Sequence, residues 1–203
     1  MKKLLVFLAV LFVSVMSSAC INNLAIQELN IKAKEYLDKG DFDEAIKRLE
    51  SSVDLDGSIF ESRYNLSVAY VNKEEYQKAI NQLNEAVKLN PSNPDVYYTL
   101  GIAYEGEASR KLQTNELDFD ENASVSDEKK AETFGSGLFL NQSDAKYAAQ
   151  MLEEAIKAYE KYLELAKTPE DFEKVQQHIN ELNEDREKYL KEAEFSAETP
   201  AGE

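Results

Sequence analysis

Laid against itself with a shift of 34 residues, this chain repeats. Tyr36, Tyr70 and Tyr104 fall in one column, and Ala33, Ser67 and Gly101 in another. Phe42 aligns with Tyr76, Ala45 with Ala79, Ile46 with Ile80, Leu49 with Leu83, Val53 with Val87 and Leu55 with Leu89. A fixed period constrains the fold more than any motif, because each period must be one supersecondary unit that buries its apolar face against its neighbours. The spacing inside each period is helical. A small residue stands three before the Tyr, and an Ala-Ile pair is followed by apolar residues three, seven and nine further on, which makes two amphipathic stripes. They break at Lys39-Gly40-Asp41 and at Lys73-Glu74-Glu75, so each unit reads as a helical hairpin.

The segment Tyr64-Asn65-Leu66-Ser67-Val68-Ala69-Tyr70, followed by Tyr76, Ala79-Ile80, Ala86 and Pro91, resembles the tetratricopeptide (TPR) repeat. The resemblance implies an all-α chain, a right-handed α-solenoid of about three TPR hairpins plus a C-terminal capping helix. Unit one is read as 26–59, unit two as 60–93 and unit three as 94–167, with Asn93 as N-cap before Pro94. Lys32 departs from the pattern where Leu66 and Leu100 stand, and Gly57 departs where unit two has Pro91. In unit three, Leu152, Ala155-Ile156, Tyr159, Leu163 and Leu165 match unit two only with a shift of 76, so 42 extra residues interrupt the hairpin within about 107–147. The acidic, polar tract Asn115 to Lys130 reads as a mobile loop, and apolar Phe134 to Leu140 is expected to dock. Thr168-Pro169-Glu170-Asp171 is a helix start. It opens a capping helix over 168–195 with Phe172, Val175, Ile179, Leu182, Tyr189 and Leu190 as its apolar stripe, and 196–203 is expected to be a disordered tail.

The amino terminus reads differently. Lys2 and Lys3 precede the apolar run Leu4 to Met16, too short to span a membrane but suited to a secretion signal. The run ends in Ser17-Ser18-Ala19-Cys20, which resembles a bacterial lipobox and implies that Cys20, the only cysteine, becomes a lipidated first mature residue. Ser17-Ser18-Ala19 also fits an ordinary signal-peptidase site, which would leave a secreted chain with a free thiol. Residues 1–19 are then a signal peptide and 20–25 a tether. The expected location is the cell envelope, on a membrane through the lipid anchor, and on the periplasmic face of the outer membrane if the organism has one.

Composition removes several functions. With 39 Asp and Glu against 23 Lys and Arg, the formal charge is −16, and such a surface repels nucleic acid. One His and one Cys leave little for triads or transition-metal sites. Neither an enzyme nor a cofactor is expected. The tract Asp118 to Lys129 echoes a calcium loop, but Ala123 stands where the turn needs Gly and Lys129 where a bidentate Glu should close the cage. It reads as a solvated acidic loop, with a calcium- or ligand-binding transport accessory as the weaker alternative. His178, with no second His or Cys nearby, reads as a surface side chain.

In TPR relatives the first helix of each hairpin lines a groove that takes peptides. Carried over by the 34-residue lattice, the resemblance places Asn30, Lys34, Leu37, Tyr64, Val68, Val71, Tyr98 and Ile102 in that groove, with Gln27, Glu61, Asp95 and Glu105 beside them. Only Lys34, Asn30 and the nearby Asn65 and Asn72 could serve the carboxylate clamp some relatives use, so a clamp is not expected. Tyr64 and Tyr98 offer aromatic anchors instead. The implied function is a non-enzymatic adaptor or assembly factor that binds an envelope protein or peptide. The alternative is a self-associating module, a homo-oligomer or a chain whose groove is filled by its own insertion.

Overall fold

The computed structural model describes residues 22–117, 142–166 and 169–198. They form seven α-helices and no strand among the described residues. These are α1 (22–38), α2 (Phe42–Leu55), α3 (Phe60–Asn72), α4 (Tyr76–Leu89), α5 (Pro94–Leu117), α6 (Gln142–Leu165) and α7 (Pro169–Glu198). Two compact units meet in sequence at Pro91 and Ser92: α1 to α4 form the first, α5 to α7 the second.

In the first unit the 34-residue period holds down to single hydrogen bonds. At the end of α1, Gly40 N–H donates to Leu37 C=O (3.0 Å) and Asp41 N–H to Tyr36 C=O (2.9 Å). At the end of α3, Glu74 donates to Val71 (3.0 Å) and Glu75 to Tyr70 (2.9 Å). This pair of bonds closes a helix with one residue in the left-handed region, and both Gly40 (φ 74) and Glu74 (φ 58) are there. Gly40 adopts it freely, whereas Glu74 carries the side-chain penalty. Helix α2 then starts on Asp41, whose carboxylate accepts from Glu44 N–H at 3.3 Å, a cap that Glu75 does not supply to α4. The small columns are where they must be for helices to cross closely. Ala33, Ala45, Ser67 and Ala79 are fully buried, with Leu49, Leu66 and Leu83 filling the spaces between. Tyr70 is buried too, and its hydroxyl donates to Glu50 at 2.6 Å. Burial first, and that carboxylate second, push its phenol well above the usual range.

The second unit opens as its sequence suggests, with Asn93 Oδ1 accepting from Asp95 N–H at 2.9 Å ahead of Pro94. Its hairpin is longer than the repeat. Helices α5 and α6 have 24 residues each, against 13 and 14 in α3 and α4. Both therefore run into the segment expected to be inserted between 107 and 147. The reason is a polar clamp joining the two helices beyond the repeat core. Buried Glu107 accepts two bonds from Arg110 (2.9 and 2.6 Å) and one from Tyr147 Oη (3.0 Å). Lys111 pairs with buried Asp144 at 3.0 Å. Ala108, Ala145 and Ala148, all buried, keep the two helices close. The rest of the insertion, including Asp118 to Lys129 and Phe134 to Leu140, lies outside the described residues.

Helix α7 packs Val175, Ile179 and Leu182 into a cluster with Leu152, Ile156 and Tyr159 of α6, and Tyr189 packs against it. Leu190, expected in the same stripe, is exposed. It follows Tyr189 by one residue, and one residue turns a helix by about 100°. Phe172 is exposed as well. The helix continues through Glu198, into residues 196–198 where a disordered tail was expected.

Candidate partner-binding faces

In the first unit the expected lining residues separate by environment. Asn30 is half-buried, and its amide points into the packing of three helices. Nδ2 lies 2.9 Å from Ser52 Oγ of α2, 2.8 Å from Ser62 Oγ of α3 and 3.0 Å from the Ile26 carbonyl. The two serines are fully buried and bonded to each other at 2.8 Å, so Asn30 serves the register of α1, α2 and α3. A buried amide finds partners wherever they stand, and two serines from later in the chain are not visible in the spacing around Asn30. Lys34 is exposed, and Leu37, Tyr64, Val68 and Val71 are half-buried. Tyr64 stacks nearly parallel on Phe60, one turn earlier, with ring centroids 5.9 Å apart.

The second unit gathers more. On α5, Asp95, Tyr98, Ile102 and Glu105 follow at intervals of three, four and three residues and so share one face. Tyr98 is 41% exposed. One side of its ring leans on α6, edge-on to Tyr159 at 5.5 Å and tilted against Tyr162 at 5.1 Å. Ile102 is half-buried against the cluster shared by α6 and α7. Glu105 binds both partner helices. Its Oε1 accepts a hydrogen bond from Tyr159 Oη and lies 2.9 Å from His178 Nε2. His178, the chain's only histidine, is thus no isolated surface group: its ring meets Tyr159 edge-on at 5.4 Å. Burial first, then the charge and hydrogen bond of Glu105, push the Tyr159 phenol far above its usual range.

Tyr159 also explains Gly101. A Cβ built on Gly101 would lie 2.5–2.7 Å from three carbons of the Tyr159 ring. In the repeat lattice Tyr159 stands where Leu49 and Leu83 stand, and Gly101 where Ala33 and Ser67 stand. The larger side chain on the second helix is matched by the smaller one on the first. That reciprocity was the signal in the sequence for this contact. Nothing local signalled that Glu105 would meet His178, 73 residues later.

Among the described residues, no group of three or more His, Cys, Asp or Glu is placed to hold a metal ion. None of their helices is long and apolar enough to cross a membrane. Cys20 lies outside the described residues.

Two family models match the sequence: one described as tetratricopeptide repeat over residues 29–58 and one as TPR repeat over 68–106. The chain thus carries TPR repeats. Among solved structures, the first TPR domain of the human RPAP3 protein is similar at a TM-score of 0.53 and 23% identity, over 80% of this chain and 95% of that one. The likeness is one of fold, the all-α TPR type. The first TPR of Spaghetti (RPAP3), bound to an HSP90 peptide, matches at a TM-score of 0.47 and 24% identity over 78% of this chain and 90% of that one. MamA matches at 0.49 and 25% identity over 85% and 78%. A search of the curated proteins found no match.

Proposed function

Because the chain carries TPR repeats, we propose that it is a protein-protein interaction adaptor or assembly factor of a bacterial cell envelope and performs no chemistry of its own. It is exported, cleaved before Cys20 and held to a membrane by lipid on that residue. It takes segments of another envelope protein on the α1 and α3 faces of the first unit and on the α5 face of the second. The observation that carries this reading is on α5. A tyrosine 41% open to solvent stands one turn from Ile102 on a helix whose opposite side is fully packed, and aromatic side chains of that kind anchor interfaces.

Two experiments test it. Changing Tyr64 and Tyr98 together to Ala should leave the helical signal nearly intact and abolish recovery of a partner from envelope fractions. A double variant that still recovers the same partner refutes the assigned faces. Intact mass of the mature chain tests the anchor, since an unmodified thiol on Cys20 would contradict lipidation. With the anchor, Cys20→Ala should move the protein into the soluble exported fraction.

A further inference from the structure

The acidity of this chain is uneven. Residues 92–203 hold 26 Asp and Glu against 12 Lys and Arg, while residues 22–91 hold 13 against 9. Within the second unit the interior carboxylates are treated in two ways. Glu107 and Asp144 are each matched by a base, Arg110 and Lys111. Glu105 is not: its partners are a phenol and an imidazole, both on Oε1, and its side chain is 24% exposed. Three acids surround this face, namely exposed Asp95, Glu105 and Glu181, the last 60% exposed and 3.8 Å from His178 Nδ1. Lys161 of α6, which comes near this face beside Tyr97, is itself paired with Glu164 at 2.7 Å.

We propose that this face of α5, flanked by α7, takes a basic segment of the partner protein in extended conformation. The inference rests on the reading of these faces as partner-binding and supplies the partner's chemistry. Glu105 has neither Lys nor Arg as a partner and keeps Oε2 outside both of its bonds, and a guanidinium or ammonium there forms a charge-assisted bond. The open ring of Tyr98 offers its face to a second cation or to an apolar side chain. Asp95 and Glu105 are ten residues apart on one helix, about 15 Å at 1.5 Å per residue. An extended chain covers that span in about four or five residues. Because alternate residues of an extended chain share a face, the segment has two basic residues four positions apart, with an apolar one midway between them over Tyr98 and Ile102. A carboxylate-terminated peptide, by contrast, would meet three acids here.

The test uses the full mature chain and a defined probe, a fluorescent twelve-residue peptide capped at both ends, with two Arg four positions apart and Leu midway between them. A twin carries Glu in place of each Arg. The Arg peptide should bind and the Glu twin should not. Tyr98→Ala and Glu105→Gln should each weaken binding about tenfold or more, and Asp95→Asn by several-fold. Glu187→Gln, the same loss of charge elsewhere on α7, should change it less than twofold. If Glu105→Gln loses its helical signal, Tyr98→Ala and Asp95→Asn decide. Absence of Arg-peptide binding overturns the proposal, as does equal weakening by Glu187→Gln, which would mean attraction to net charge alone. Binding of the Glu twin instead would overturn the basic partner while leaving the interaction reading in place.

Discussion

Replacing Gly101 by Ala sets two effects of opposite sign against each other. Ala is the better helix former by about 1 kcal/mol in a helix interior. Against that stands the Tyr159 ring, three carbons of which would lie 2.5–2.7 Å from the new methyl, well inside ordinary van der Waals contact. The ring has little room to yield. It is 2% exposed, its hydroxyl is bonded to Glu105, and its edges meet Tyr98 and His178. Overpacking of a filled core costs about 1–3 kcal/mol, and with a pinned aromatic the upper part of that range applies. The net expectation is a loss of about 1–2 kcal/mol, or a fall in Tm of roughly 2–8 °C for a chain of this size. Urea unfolding followed by circular dichroism measures it. The companion variant Tyr159→Leu restores the Leu-with-Ala pairing of the first unit. In that background Gly101→Ala should become neutral or stabilising, a coupling of about 2–3 kcal/mol. If Gly101→Ala is as stable as the parent, or costs the same in both backgrounds, the size-matching account of this crossing is wrong.

Three further outcomes follow from the same contacts. Glu74→Gly should raise stability by about 0.5–1 kcal/mol, since φ 58 strains any residue with a Cβ; an unchanged or lower urea midpoint would show that the turn is not strained. Ala79→Leu, at a fully buried position, should cost about 1–3 kcal/mol, while Glu85→Lys on the solvent side should shift the midpoint little; equal effects would displace the repeat register. Tyr70 and Tyr159 have phenols raised by burial and by carboxylates, so their stabilisation is full below pH 10, where an unfolded tyrosine begins to ionise, and is lost as pH rises above it. Tyr159→Phe should therefore flatten the decline of stability between about pH 10 and 11.5, and a variant that tracks the parent would contradict the burial of that hydroxyl.

Most of the first unit was legible because its determinants are local and repeated. Ala45 with Leu49, Ala79 with Leu83, and Lys39-Gly40-Asp41 recur within one period, and helical spacing converts such recurrences into faces. What was hidden depends on contacts distant in sequence. The tract from Asn115 is polar enough to read as loop, yet α5 persists to Leu117. Arg110, Lys111, Asp144 and Tyr147 bind helices α5 and α6 across a gap of more than thirty residues. Asn30 was read by its lattice position as groove lining, while its amide is committed to Ser52 and Ser62. His178 lacked any neighbouring ligand in sequence and so looked solitary, and only the packing of both α5 and α7 on α6 sets it against Glu105. Periodicity reports which way a side chain points on its own helix; it is silent about which helix it meets.

The central claim is that the α3 and α5 faces carrying Tyr64 and Tyr98 hold a second protein. Site-specific photocrosslinking in the native cell tests it most directly, with a benzophenone amino acid placed in turn at Tyr64, at Tyr98 and at exposed Glu153 on α6. The account predicts one protein, the same in both cases, joined to the chain from positions 64 and 98 and absent from position 153. Adducts formed equally from position 153, adducts containing only a second copy of the chain, or none from positions 64 and 98 would contradict it.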